Sequence, residues 1–178
     1  LCVTFDRREP TFRHQADERY KAQRKGMPEE LAMQMLPLKQ VLTAMSIPQY
    51  ELTGYEADDL IGTISRKCEA AGWDCVIVTG DKDSLQLITD HTKVKLVSTR
   101  MGQTTTKDMT PETFQETYGF APIHMIDLKA LMGDSSDNIP GVPGIGEKTA
   151  MALVQEYGSI DTLYAQMPDV HAKPAALR

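Results

Sequence analysis

The run WDCVIVT, Trp73–Thr79, is the strongest strand former in the chain, and its flanks limit the fold. It is rich in β-branched residues, and a Gly-Asp turn follows it. Before it, Glu56–Ala71 places Leu60, Ile64 and Cys68 at helical spacing and stops at Gly72. After it, KVKLVST (Lys93–Thr99) forms a second strand, and the turn-rich Met101–Asp108 suits a hairpin. Cys2–Phe5 reads as a buried strand and Ile47–Leu52 as a short one. Between them Pro28 opens a helix with Leu31, Met35, Leu38, Leu42 and Met45 on one face, which Pro37 is expected to break or kink. Alternating strands and helices predict an α/β fold with a mostly parallel central sheet flanked by helices. From Thr110 onward the pattern is all-helical. Helices are expected from Pro111 to Gly119, Pro122 to Met132, Glu147 to Tyr157 and, capped by Ser159, Ile160 to about Gln166. AKPAALR at the end resembles the start of one more. The division therefore falls into residues 1–109 and 110–178.

The chain has 178 residues, enough for a sizeable core. No apolar run is long enough to span a membrane. Cys2, Cys68 and Cys75 show no metal or disulfide spacing and suit reduced thiols in a cytoplasmic protein. The net charge of −6 taken alone disfavours nucleic acid, but its distribution does not. Arg7–Lys25 holds seven basic and three acidic residues. That segment, a mobile loop or a marginal helix, suits a polyanion.

The acidity sits at element boundaries. Asp6 follows the first strand, GYEADDL places Glu56, Asp58 and Asp59 in a helix's first turn, VTGDKDSLQL places Asp81 and Asp83 past the strongest strand, and MGDSSDNIPG places Asp134 and Asp137 in a loop between helices. Without these eight carboxylates the net charge would move from −6 to +2. Taken singly, each cluster suits a solvated pair or a cap. Converged, they would repel and require cations. Oxygen ligands suit a hard divalent ion, magnesium first. Two such ions roughly 3.5–4 Å apart would clamp the attacking and leaving oxygens of a phosphodiester. An EF-hand is excluded by Leu85 and Gln86 where its loop needs an acid or amide and a glycine. His14, His91, His124 and His171 are scattered and support no catalytic triad.

The stretch NIPGVPGIGEKTA (Asn138–Ala150) imitates a phosphate-binding P-loop, but Glu147 separates Gly146 from Lys148 and breaks the spacing. Two uses remain: a plain corner between helices, or a turn whose amides face an anion.

FDRREPTFRH, YKAQR, GYEADDLIGT, VTGDKDSLQL, LMGDSSDNIPGVPGIGEKTA and YGSIDTLY together resemble the 5′-nuclease domains at the amino end of bacterial DNA polymerases of type I, over nearly the whole chain. The resemblance implies a PIN-like α/β nuclease domain with a basic arch at about residues 7–36, then a helix-hairpin-helix-type subdomain with its turn at 138–150. It implies a 5′-3′ exonuclease and 5′-flap endonuclease acting on flapped, nicked or branched DNA and on RNA primers in replication and repair. Such a chain would be monomeric, fused to a polymerase, and cytoplasmic at the bacterial nucleoid. By the same resemblance Asp6, Glu56 and Asp58 hold a first Mg2+ (or Mn2+), with Asp59 near. Asp81, Asp83, Asp134 and Asp137 serve a second. Arg13, Tyr20, Lys21 and Arg24 face DNA: Tyr20 stacks on a base, and Lys21 and Arg24 meet the scissile phosphate. Gly144, Ile145, Gly146 and Lys148 bind the duplex backbone, with K+ joining the turn. The family begins with a strand carrying one further aspartate and continues into more helices. The alternative expectation is therefore a non-catalytic DNA-structure-binding fragment. An RNA phosphodiesterase is a weaker third.

Overall fold

The structure, a computed structural model, describes residues 1–166. The helix expected over AKPAALR, and His171, lie outside the described residues. The chain divides into two units, one of residues 1–64 with 136–138 and one holding the remainder.

The first unit contains β1 (Val3–Thr4), α1 (Phe12–Ala16), α2 (Glu29–Ala44), β2 (Gln49–Tyr50) and the start of α3 (Ala57–Ala70). β1 and β2 pair in parallel, Val3 opposite Gln49 and Thr4 opposite Tyr50. The strand expected over Cys2–Phe5 is thus only two residues long and half-buried. α2 runs unbroken through Pro37, against the expected break. A proline here removes its own N–H and frees the carbonyl of Met33. Both residues are exposed, which leaves that carbonyl open to solvent. None of α2 is buried, and Leu31, Leu38 and Met45 of its apolar stripe are exposed. Among the described residues of this unit, the buried ones are Thr11, Tyr20, Glu56 and Asp137. Its interior is therefore polar, and hydrogen bonds and ion pairs must hold it.

The second unit has an apolar core. β3 (Cys75–Thr79) pairs in parallel with β4 (Thr92–Arg100), which pairs antiparallel with β5 (Gln103–Met109). The parallel pair needs a crossover. A 3-10 turn over Lys82–Leu87 supplies it and buries Leu85. Met101 and Gly102 both take positive φ, 49° and 76°, which suits the tight hairpin turn between β4 and β5. α3 ends on Gly72 at φ 73°, with Trp73 N–H donating to Cys68 O at 2.9 Å and Gly72 N–H to Glu69 O at 2.9 Å. That closing turn satisfies two of the last carbonyls.

α4 (Pro111–Tyr118) starts on a Thr110 cap and ends at Gly119. A 3-10 turn (Pro122–His124) leads into α5 (Met125–Met132). A two-residue bridge joins β6 (Gly133–Asp134) to β7 (Ile139–Pro140). α6 (Glu147–Tyr157) and α7 (Ile160–Ala165) follow, α7 capped by Ser159. α5 packs against α6, which buries Leu128, Leu131, Leu153 and Val154 in this unit's core. Phe114 is fully buried, stacked on Tyr118 at 4.5 Å between centroids and edge-on to Phe120 at 5.7 Å. Phe114→Ala is expected to lower unfolding stability by about 3–5 kcal/mol. The measurement is a shifted urea midpoint at an unchanged slope.

Candidate active site

In the first unit the site is built on the start of α3. A helix leaves its first amides without partners, and its dipole favours negative charge there. Asp59 Oδ2 accepts the Glu56 N–H at 2.9 Å. Asp6 Oδ1 accepts the Ala57 N–H at 2.7 Å. These carboxylates are therefore drawn to one helix end by local backbone physics. Asp58 lies exposed in the same first turn.

Glu56 and Asp137 are buried, and the basic segment closes on them. Tyr20 is buried too, and its hydroxyl lies 3.0 Å from Glu56 Oε2 and 3.2 Å from Asp137 Oδ2. One proton serves only one of them at a time. Burial first, then the Glu56 charge, pushes this phenol well above its ordinary range, so it stays a donor. A buried donor is a different placement from the base-stacking ring expected of Tyr20. Lys21 Nζ lies 2.9 Å from Glu56 Oε1 and 3.9 Å from Asp137 Oδ2. Arg24 pairs with Asp137 Oδ1 and donates from Nε to the Ser136 carbonyl at 3.0 Å. Arg13 grips Asp59 with both ends of its fork, at 2.7 and 2.8 Å, and comes within 3.6 Å of Glu56. Its hydrogen bond holds the Asp59 carboxyl below the ordinary value of 3.8.

In the second unit Asp81 follows β3 and caps the 3-10 turn by accepting the Asp83 N–H at 2.9 Å. Lys129, from α5, lies 2.7 Å from Asp83 Oδ1 and 2.5 Å from Asp134 Oδ2. Burial draws the lysine's pKa down, but hydrogen bonds to Asp134 and Asp83 outweigh it, and the net shift is upward. Lys129 is absent from the sequence-derived set. Its one visible signal is its place as the single basic residue of MIDLKALM.

The glycine turn also lies in this unit. Gly144 takes φ 82°, and Gly146 caps α6. The Ile145 N–H is spent within the turn, on Val142 O at 3.0 Å, and the Ile145 side chain is buried. Lys148 stands exposed in the first turn of α6. Gly133 and Gly141 are obligatory here: a Cβ on Gly141 would lie 2.3 Å from the Met132 carbonyl carbon, and one on Gly133 would lie 2.4 Å from Gly141 N. Val142 N–H then donates to Leu131 O at 2.8 Å, tying the turn back to α5.

Among the described residues no group of three or more His, Cys, Asp or Glu side chains is arranged to hold a metal ion. Arg13, Lys21, Arg24 and Lys129 lie on these carboxylates instead. The donors nonetheless suit a hard divalent cation, being oxygens throughout. Asp83 Oδ1 is buried, and the Lys129 ammonium meets it at 2.7 Å. Such an oxygen can take a cation.

Residues 1–119 match the family described as 5′-3′ exonuclease, N-terminal resolvase-like domain, and residues 120–177 match 5′-3′ exonuclease, C-terminal SAM fold. DNA polymerase I of Bacillus subtilis (strain 168) is 46% identical over 173 residues, 97% of this chain and 19% of that protein. The thermostable DNA polymerase I of Thermus filiformis is 42% identical over 178 residues, 100% of this chain and 20% of that protein. The chain spans about a fifth of the length of these relatives. The structure of the T5 D15 protein co-crystallised with metal ions superposes with a TM-score of 0.76 at 26% identity, covering 98% of this chain and 68% of that one. The catalytic core of Rad2 in complex with DNA shares the fold, with a TM-score of 0.56 at 17% identity over 96% of this chain and 54% of that one.

Asp59 carries the pH test of this geometry. Its folded pKa is lowered, so its contribution is complete above the unfolded value of about 3.9 and is lost as pH falls through the folded value. Asp59→Asn is expected to cost about 1–3 kcal/mol at neutral pH. The gap from the parent chain should shrink below about pH 4. Denaturant titrations of both chains across pH 3–7 measure it.

Proposed function

The chain belongs to the 5′-3′ exonuclease family, and on that premise we propose that it is the 5′-nuclease portion of a bacterial DNA polymerase I. It acts as a structure-specific 5′-3′ exonuclease and 5′-flap endonuclease on flapped, nicked or branched DNA and on RNA primers, in replication and repair. Residues 1–109 supply the chemistry, with residues 7–36 as its basic arch, and residues 110–178 the duplex grip. The protein works as a monomer in the cytoplasm, at the nucleoid. No helix among the described residues is long and apolar enough to cross a membrane.

The observation that carries this proposal is the pairing of buried carboxylates with the cations of one basic segment. Glu56 and Asp137 are oxygen donors in a desolvated place, met by Lys21 and Arg24. Asp6, Glu56, Asp58 and Asp59 would hold one magnesium or manganese ion, and Asp81, Asp83, Asp134 and Asp137 a second. The bound ions supply activation of the attacking water and neutralisation of charge on the phosphodiester. Lys21 and Arg24 orient the scissile phosphate and stabilise its developing charge. Arg13 keeps Asp59 ionised and in place. Gly144, Gly146 and Lys148, with K+ at the turn, hold the duplex backbone and position it without reading sequence.

The test is cleavage of a DNA labelled at the 5′ end of its flap, in magnesium and in EDTA. Magnesium-dependent cuts near the junction are expected, and Asp81→Ala should abolish them. Lys21→Ala should slow single-turnover cleavage by about 10²–10³-fold. Flap binding without any cleavage would leave a DNA-structure-binding module instead. In the same binding assay Lys148→Ala is expected to weaken duplex affinity across all sequences and lower the salt slope by about one.

A further inference from the structure

Two buried carboxylates cannot both stay charged without a counter-ion. Here the chain supplies its own. Lys21 is mostly enclosed, 17% exposed at its side chain, with its ammonium on Glu56 and near Asp137. Arg24 covers the other Asp137 oxygen and ties down the Ser136 carbonyl. The backbone is fastened as well. Lys21 N–H donates to Asp137 O at 2.9 Å, and the Asn138 side-chain amide donates to Arg19 O at 2.8 Å. To make this turn Lys21 adopts φ 53°, a left-handed conformation that a lysine avoids unless contacts hold it, and Asn138 takes φ 58°, which an asparagine tolerates. The segment is thus held in an unfavoured shape by ion pairs to the carboxylates assigned above to metal.

We propose that residues 19–24 form an internal cation latch, in which Lys21 and Arg24 occupy Glu56 and Asp137 until divalent ions displace them. This rests on the metal and phosphate roles given under the proposed function, and it adds an order of events. The same oxygens cannot serve the latch and the ions together. Metal arrival therefore frees Lys21 and Arg24, the side chains that then take the substrate phosphate. Linkage makes the effect reciprocal: metal opens the segment, and the closed segment lowers apparent metal affinity by the fraction of chains left open.

Limited trypsin digestion of the whole chain tests it, because trypsin cuts after Lys21 and Arg24. Magnesium is expected to speed cleavage at both bonds several-fold, read by mass spectrometry against a free peptide of residues 17–28. Calorimetry with magnesium is the second arm. The Lys21→Gln, Arg24→Gln double variant should bind severalfold more tightly than the parent, as the competition of these ion pairs is lifted. Asp137→Asn should bind magnesium more weakly. If Asp137-dependent binding is seen but digestion is unchanged or slowed and the double variant binds no tighter, the latch is wrong while the metal site stands. If magnesium binds the parent no better than Asp137→Asn, the metal site and the latch both fail.

Discussion

Charge compensation of Glu56 and Asp137 is the constraint on which the first unit depends. Both carboxylates are buried, and among the described residues of this unit no aliphatic side chain is buried with them. Taking such groups out of water is costly unless cations and donors meet them. Lys21, Arg24 and Tyr20 do so directly, and Arg13 anchors the neighbouring Asp59. The polar network is therefore at once the unit's interior and its candidate chemistry. Substitutions there will entangle stability with activity, and only measurements that separate the two are informative.

The second unit solves the folding problem differently. Its strands and helices bury Ile77, Leu85, Val94, Phe114, Leu128 and Leu153, so apolar contact supplies the stability. Within it, Lys129 lies between Asp83 and Asp134. A core that stable can carry a strained or electrostatically costly group at its edge, because other contacts offset it. Asp83 fits that description, with a buried oxygen whose charge Lys129 meets.

Helix ends were legible in the sequence because capping is local. Gly119, Gly158 and Ser159 each sit where their helix stops or starts, and each acts within a few residues. The Met101–Asp108 turn-rich stretch likewise emerged as one arm of a hairpin. Pro37 misled, since a proline's cost depends on whether the freed carbonyl meets water, and sequence does not display exposure. The carboxylates stood out by their place at element boundaries. Their partners did not: Arg24 lies 113 positions from Asp137, and no periodicity links residues so far apart. Lys129 was hidden for the same reason, its contact with Asp83 being a matter of tertiary packing.

The close approach of Gly133 and Gly141 has a consequence for measurement along a duplex. Only two hydrogen atoms stand where side chains would be, so the strand bearing Asp134 and the strand leading into the glycine turn meet at backbone distance. Val142, bonded to Leu131, closes the same loop onto α5. Neither end of this piece can slide without breaking the other's contacts. Under the proposed function, the grip on the duplex and the carboxylate near the cut are then the two jaws of one caliper. The offset between where DNA is held and where it is cut would be a property of the backbone, indifferent to base sequence.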